Sequence, residues 1–128
     1  MDNTITIVTV VYNDKNNIEK TINSVLNQSY NSKEYIVVDG KSTDGTLEIV
    51  KKYADQISVI VSEPDRGIYD AMNKALPYVT GDWVHYLNSD DFYYDNKTLY
   101  NMSLFLAKTQ KDIVAGNMFI SSENKRTK

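Results

Sequence analysis

Ile5-Thr6-Ile7-Val8-Thr9-Val10-Val11-Tyr12-Asn13-Asp14 is the stretch whose reading decides the fold. The run from Ile5 to Tyr12 is rich in β-branched residues, which suit a pleated strand. It stops at Asn13-Asp14, a pair suited to starting a helix. Ile18, Ile22, Val25 and Leu26 then recur at helical spacing. The chain therefore opens as strand, turn, helix.

The same alternation continues outward from that unit. Tyr35 to Val38 predicts a second strand, closed by Asp39-Gly40. Thr43 or Asp44 is placed to cap a helix carrying Leu47, Val50 and Tyr53. Ile57 to Val61 predicts a third strand, and Glu63-Pro64-Asp65-Arg66-Gly67 a loop. Tyr69, Met72, Leu76 and Val79 form the next helical stripe, and Thr80-Gly81-Asp82 turns into a fourth strand from Trp83 to Leu87. Leu99, Met102, Phe105 and Leu106 predict a further helix, and Ile113-Val114-Ala115 starts a fifth strand. Strand–helix alternation implies a mostly parallel sheet with helices on both faces. Right-handed crossovers make it an α/β, Rossmann-like arrangement. Residues 1–120 are expected to form this domain, cut short after the fifth strand, and residues 121–128 a polar, frayed tail.

The 128 residues suffice for one domain with a buried core, and 41% hydrophobic with 24% charged is ordinary globular composition. A net charge of −3 disfavours a dedicated nucleic-acid binder. With no cysteine there is neither a disulfide framework nor a thiolate metal site. No apolar run approaches the roughly 20 residues that span a bilayer, and no signal-peptide pattern precedes the first strand. A cytoplasmic setting is expected, with peripheral attachment to the inner membrane face left open. Three Asn-x-Ser/Thr triplets, at Asn27, Asn96 and Asn101, then read as chance in an Asn-rich chain.

Ligands of open parallel sheets bind beyond the carboxyl ends of the strands. Those ends read Tyr12-Asn13-Asp14, Asp39-Gly40, Glu63-Pro64-Asp65-Arg66 and Asn88-Ser89-Asp90-Asp91, each bearing at least one acid. Helix capping explains Asp14 and Asp44. It explains the adjacent pair Asp90-Asp91 poorly, because clustered carboxylates repel unless a cation or donors offset them. Neither a G-x-x-x-x-G-K-[ST] loop nor a G-x-G-x-x-G turn is present, which disfavours P-loop and ordinary dinucleotide chemistry. His85, the one histidine, sits mid-strand and reads as a sheet residue.

Five segments, ITIVTVVYND, TINSVLNQSY, YIVVDGKSTDGT, SEPDRGIYDAMNKAL and TGDWVHYLNSDDFY, resemble in this order the N-terminal part of the family 2 glycosyltransferases of GT-A fold. The resemblance implies inverting transfer of a sugar from a nucleotide-diphosphate donor, UDP-linked by preference, to a hydroxyl of a glycan or lipid-linked acceptor. Bacterial surface polysaccharide is the setting it suggests. Asn88-Ser89-Asp90-Asp91 corresponds to the D-x-D-type segment: Asp91 would ligate a divalent metal, Mn²⁺ or Mg²⁺, and Asp90 would face the ribose or the metal's waters. Oxygen ligands completed by phosphate and water suit these ions. Val10, Tyr12 and Asp39 would hold the nucleoside. Tyr12 either stacks on the base or covers the core, and Arg66 either pairs with the diphosphate or is an exposed loop arginine. Asp65 and Asn73 complete the implied donor set.

The chain also departs from that pattern. Many relatives have D-D-G-S where this chain reads Asp39-Gly40-Lys41-Ser42, and A-R-N where it reads Ala71-Met72-Asn73; Asn88 replaces the first acid of the D-x-D segment. The family's catalytic base lies in a later segment, so it is expected beyond Lys128 and the chain is expected to bind a donor better than it catalyses transfer. The alternatives are a catalytically silent nucleotide-binding or interaction module, and a Mg²⁺-dependent phosphoacceptor domain, which would want paired acids after the first strand.

Overall fold

A computed structural model describes residues 3–108 in full, together with the backbone of residues 118–120 and 125–127. The opening run forms β1, Ile5–Val11, and every one of its residues is buried. The chain then turns through Asn13, whose φ of 47° lies in the left-handed region that asparagine tolerates. Helix α1, Ile18–Leu26, follows. It begins four residues later than Asp14, whose backbone carbonyl accepts the amide of Ile18 at 3.0 Å. Ile18, Ile22 and Val25 face the sheet with no exposed surface. Each fully buried aliphatic side chain contributes about 1.5–3 kcal/mol.

Strand β2, Lys33–Asp39, is longer at both ends than the apolar pattern predicts. Helix α2, Thr46–Lys51, gives way to a 3₁₀ turn at Ala54–Gln56, so Tyr53 falls outside the helix. Strand β3, Val59–Ser62, leads to α3, Ile68–Ala75, entered through Gly67 at φ 123°, a value glycine adopts without strain. Strand β4 is Trp83–Tyr86 and helix α4 is Thr98–Leu106.

β1 to β4 make one parallel sheet in the order β3-β2-β1-β4. This confirms the α/β, Rossmann-like expectation. Alternate residues of β1 and β2 feed two cores. On one face Ile5, Ile7, Val11, Tyr35 and Val37 pack with α1, Val50 of α2, and Leu99 and Leu106 of α4. On the other, Val8, Val10, Ile36 and Val38 pack with Ala71 and Ala75 of α3.

Helix α3 and the turn after it meet the predicted stripe in part. Tyr69 is 79% exposed and Leu76 is also exposed, whereas the buried positions are Ala71 and Ala75. The alanines place no bulk between helix and sheet, and Met72 and Val79 of the stripe, both partly buried, pack against the same core. The expected fifth strand at Ile113–Ala115 lies outside the described residues. Further on, β5, Met118–Ile120, pairs antiparallel with β6, Lys125–Thr127, and β6 alone falls inside residues 121–128, the stretch expected as a polar tail.

Candidate functional site

The strand order reverses at β1. From it the chain steps to β2 and β3 on one side and to β4 on the other. The crevice beyond the carboxyl ends of β1 and β4 is thus the topological switch point, where ligands of such sheets bind. Tyr12-Asn13-Asp14 lies on one lip and Asn88-Ser89-Asp90-Asp91 on the other.

The acidic turn is held from two directions. Ser89 Oγ donates to Asp14 Oδ2 at 2.8 Å, tying the two lips together. From α1, the Thr21 hydroxyl sits between the backbone carbonyls of Ser89 and Asp91, 2.6 Å from the latter. Asp91 closes the turn with its amide on the Asn88 carbonyl at 2.9 Å. The carboxylates of Asp90 and Asp91 are left at the surface. Partial loss of hydration, and then the neighbouring charge of Asp90, push the Asp91 carboxyl above the usual aspartate range.

Asp14 does not cap α1 through its side chain. Its other oxygen accepts the Asn17 side-chain amide at 2.8 Å. Asp44 fits the capping expectation better, since Oδ1 accepts the Thr46 amide at 3.0 Å. The loops after β1 and β2 are laced by polar contacts: Asn13 N to Ser42 Oγ at 2.8 Å, Thr43 N to Asn13 Oδ1 at 2.7 Å, and Asp14 N to Thr46 Oγ1 at 2.9 Å.

Among the nucleoside candidates, Tyr12 is 60% exposed. Its ring is no lid on the core and offers a stacking face. Asp39, by contrast, is 0% exposed. Its carboxylate accepts from Ser42 N at 3.0 Å, Ser42 Oγ at 2.6 Å and Ser62 Oγ at 2.9 Å, so it binds the ends of β2 and β3 into one frame. Val10 is buried in the α3-side core, with 6% of its surface exposed. Asp65 reaches over Gly40: a Cβ on Gly40 would stand 2.7 Å from Asp65 Oδ2 and 3.3 Å from the Tyr12 ring. The other Asp65 oxygen accepts the Gly67 amide at 3.0 Å.

Arg66 and Asn73 are exposed. The Arg66 side chain is 91% exposed and 3.8 Å from Asp70, which matches the loop-arginine reading and leaves the guanidinium free to reach a ligand. Asp70 is held below the usual carboxylate range, first by the Arg66 amide and then by the charges of Lys74 and Arg66. Lys74 braces the loop through the Pro64 carbonyl and Glu63, 3.2 Å away. His85 is a sheet residue, as expected: its Nδ1 is 2.7 Å from the Tyr93 hydroxyl, the rings stack, and burial lowers its pKa.

The acidic turn offers oxygen atoms of the kind that divalent cations take as ligands. Asn88 Oδ1 is buried without a hydrogen-bond partner, in the same turn as two surface carboxylates that repel each other. No group of three or more His, Cys, Asp or Glu side chains converges among the described residues. Ligand oxygens and water would have to complete any octahedral shell.

A parallel sheet with acidic loops at its switch point defines a Rossmann-like α/β domain. The class becomes specific on comparison, because residues 6–128 match the profile of glycosyl transferase family 2. The chain belongs to that family. It is 34% identical over 109 residues to a PGL/p-HBAD biosynthesis glycosyltransferase of Mycobacterium tuberculosis, covering 82% of this chain and 43% of the relative. It is 41% identical over 90 residues to the putative teichuronic acid biosynthesis glycosyltransferase TuaG of Bacillus subtilis, covering 68% and 36%. Among solved structures, the mannosyltransferase PcManGT of Pyrobaculum calidifontis, in complex with GDP-Man and Mn²⁺, superposes with a TM-score of 0.78 at 29% identity, over 93% of this chain and 35% of that one. S. aureus TarS 1-349 with UDP-GlcNAc gives 0.76 at 26% identity, over 91% and 38%. The chain thus spans less than half the length of these relatives, and the GT-A fold expectation is met.

Proposed function

We propose that this chain carries the donor side of a sugar transferase. It would bind a nucleotide-diphosphate sugar for inverting transfer to a hydroxyl of a glycan or lipid-linked acceptor in bacterial polysaccharide synthesis. The observation that carries the reading is the tie across the switch point: Ser89 joined to Asp14 sets the Asn88–Asp91 turn against the lip that bears Tyr12. The relatives handle GDP-Man and UDP-GlcNAc, and one is crystallised with Mn²⁺, which supports the same reading here.

In this reading Asp91 and Asp90, with Asn88 Oδ1 beside them, hold Mn²⁺ or Mg²⁺. When bound, the ion offsets the charge that develops on the departing diphosphate. Tyr12 supplies the stacking face for the base. Thr21 and Asp14 hold the turn rigid so that the carboxylates meet the ligand without reorganising, as a preorganised site requires. Asp39 acts through Ser42 and Ser62 as a positioning residue. Arg66 and Asn73 lie on the α3 side, where the exposed guanidinium suits a phosphate.

The reading is tested by calorimetric titration of nucleoside diphosphates with and without Mn²⁺. Metal-dependent binding that Asp91→Ala removes is the expected result. A protein indifferent to every nucleoside diphosphate, with or without metal, would falsify it.

A further inference from the structure

Resting on that donor-site reading, we infer that Asp65 selects the nucleobase, and that the base it favours is guanine. Asp65 leans across the end of β2 so closely that a Cβ on Gly40 would stand 2.7 Å from its Oδ2 and displace it, and the Tyr12 ring borders the same spot. In the inferred pose a base lies on Tyr12 and turns one edge towards the Asp65 carboxylate. Oδ1 accepts one hydrogen bond, from the Gly67 amide, and Oδ2 accepts none among the described residues. Lone pairs on both oxygens stay open to a ligand.

An ionised carboxylate only accepts hydrogen bonds. Its two oxygens match two adjacent donors, which guanine offers in its ring N1–H and its exocyclic amine. Uracil offers a single N3–H flanked by two carbonyl oxygens, so one carboxylate oxygen would face a carbonyl oxygen at close range. Specificity here combines a matched pair for one base with an electrostatic clash for the other. A site built to hydrogen-bond a group rejects the analogue that lacks it.

The experiment compares GDP, UDP and IDP with the full-length protein in the presence of Mn²⁺, by calorimetry. IDP keeps the ring N1–H and lacks the exocyclic amine. GDP is expected to bind at least about ten-fold more tightly than UDP, and several-fold more tightly than IDP. Asp65→Asn retains an oxygen for the Gly67 amide and places a donor beside an acceptor. It is expected to cut the GDP:UDP ratio by about ten-fold or more while its melting temperature stays with the wild type. Equal or tighter binding of UDP by the wild type, still metal-dependent, overturns the base assignment and leaves the donor site standing. A GDP:UDP ratio unmoved in Asp65→Asn overturns the role of Asp65. Failure of all three nucleotides to bind removes both readings.

Discussion

Ser89, on the loop after β4, donates its hydroxyl to Asp14, on the loop after β1, across 75 positions of sequence and a distance of 2.8 Å. One hydrogen bond to a charged acceptor thereby fixes the separation of the two lips of the cleft. Such bonds are worth about 1.5–3 kcal/mol when protected from water, and less at a partly exposed site such as this. Ser89→Ala is therefore expected to lower stability by about 1 kcal/mol in a denaturant titration. Metal-dependent nucleotide binding should weaken more than that loss alone would suggest, because the turn also loses its register. Unchanged affinity would show that the tie does not position the site.

Thr21 tests the same turn from beneath. It is 1% exposed and its hydroxyl lies between two carbonyls of the acidic turn. Thr21→Val keeps the shape and strips the donor, leaving those carbonyls without that partner. A cost of about 1–3 kcal/mol is expected. Thr21→Ser keeps the hydroxyl and should retain most of the nucleotide affinity that Thr21→Val loses, a split that isothermal titration of the two variants resolves.

Asp91 gives the cleft a pH signature. Its folded pKa is raised, by lost hydration first and by Asp90 second. The folded state then holds its proton more tightly than the unfolded chain does. The associated stability is fully present below the ordinary aspartate value of about 4 and is lost as pH rises through the higher folded value. In metal-free buffer at neutral pH, Asp91→Asn should therefore melt at a higher temperature than the wild type, and the gap should close towards acid. Added Mn²⁺ should raise the wild-type melting temperature and leave the variant where it was. A variant that melts lower than the wild type at neutral pH would contradict this account.

Much of the frame was legible because it depends on local pattern. The β-branched run of β1 and the Ile18, Ile22, Val25 spacing of α1 each bury one continuous apolar face, and that periodicity is written in neighbouring residues. The rule that strand ends in parallel sheets carry ligands singles out Asp90, Asp91 and Tyr12 as candidates. Helix α3 is legible only in part: Met72 and Val79 pack against the core as their spacing predicts, whereas Ala71 and Ala75, which lie deepest, are too small to stand out in an apolar pattern. The braces escaped for another reason. Asn13 to Ser42, Asp14 to Ser89 and Thr21 to Asp91 join residues 29, 75 and 70 positions apart, and short polar side chains at such separations leave no period to read. Asp39 shows the remaining gap, since sequence marks it as an acid at a strand end but cannot tell a ligand contact from a buried clamp on Ser42 and Ser62.

Gly40 and Gly81 separate a functional glycine from a structural one. A Cβ on Gly40 would press on the ends of two side chains, Asp65 Oδ2 at 2.7 Å and the Tyr12 ring at 3.3 Å, both at the edge of the cleft and able to swing away. A Cβ on Gly81 would strike Thr6 Oγ1 at 2.4 Å, the Thr4 carbonyl at 2.9 Å and the Thr6 amide at 3.0 Å, and backbone in the central strand has nowhere to go. Gly81 also donates its amide to Thr6 Oγ1 at 3.0 Å, part of the network through which Glu34 clamps Thr6 and Thr80. Gly81→Ala is accordingly expected to cost about 1–3 kcal/mol of stability, the range of an overpacked core. Gly40→Ala should cost well under that, yet lower nucleotide affinity by about ten-fold or more, because Asp65 and Tyr12 can only make room by leaving the positions in which they would meet a base. Thermal melts and nucleotide titrations of the two variants together decide the matter. If Gly40→Ala unfolds the protein as readily as Gly81→Ala, the Tyr12–Gly40–Asp65 corner is part of the scaffold and the nucleobase must be held elsewhere.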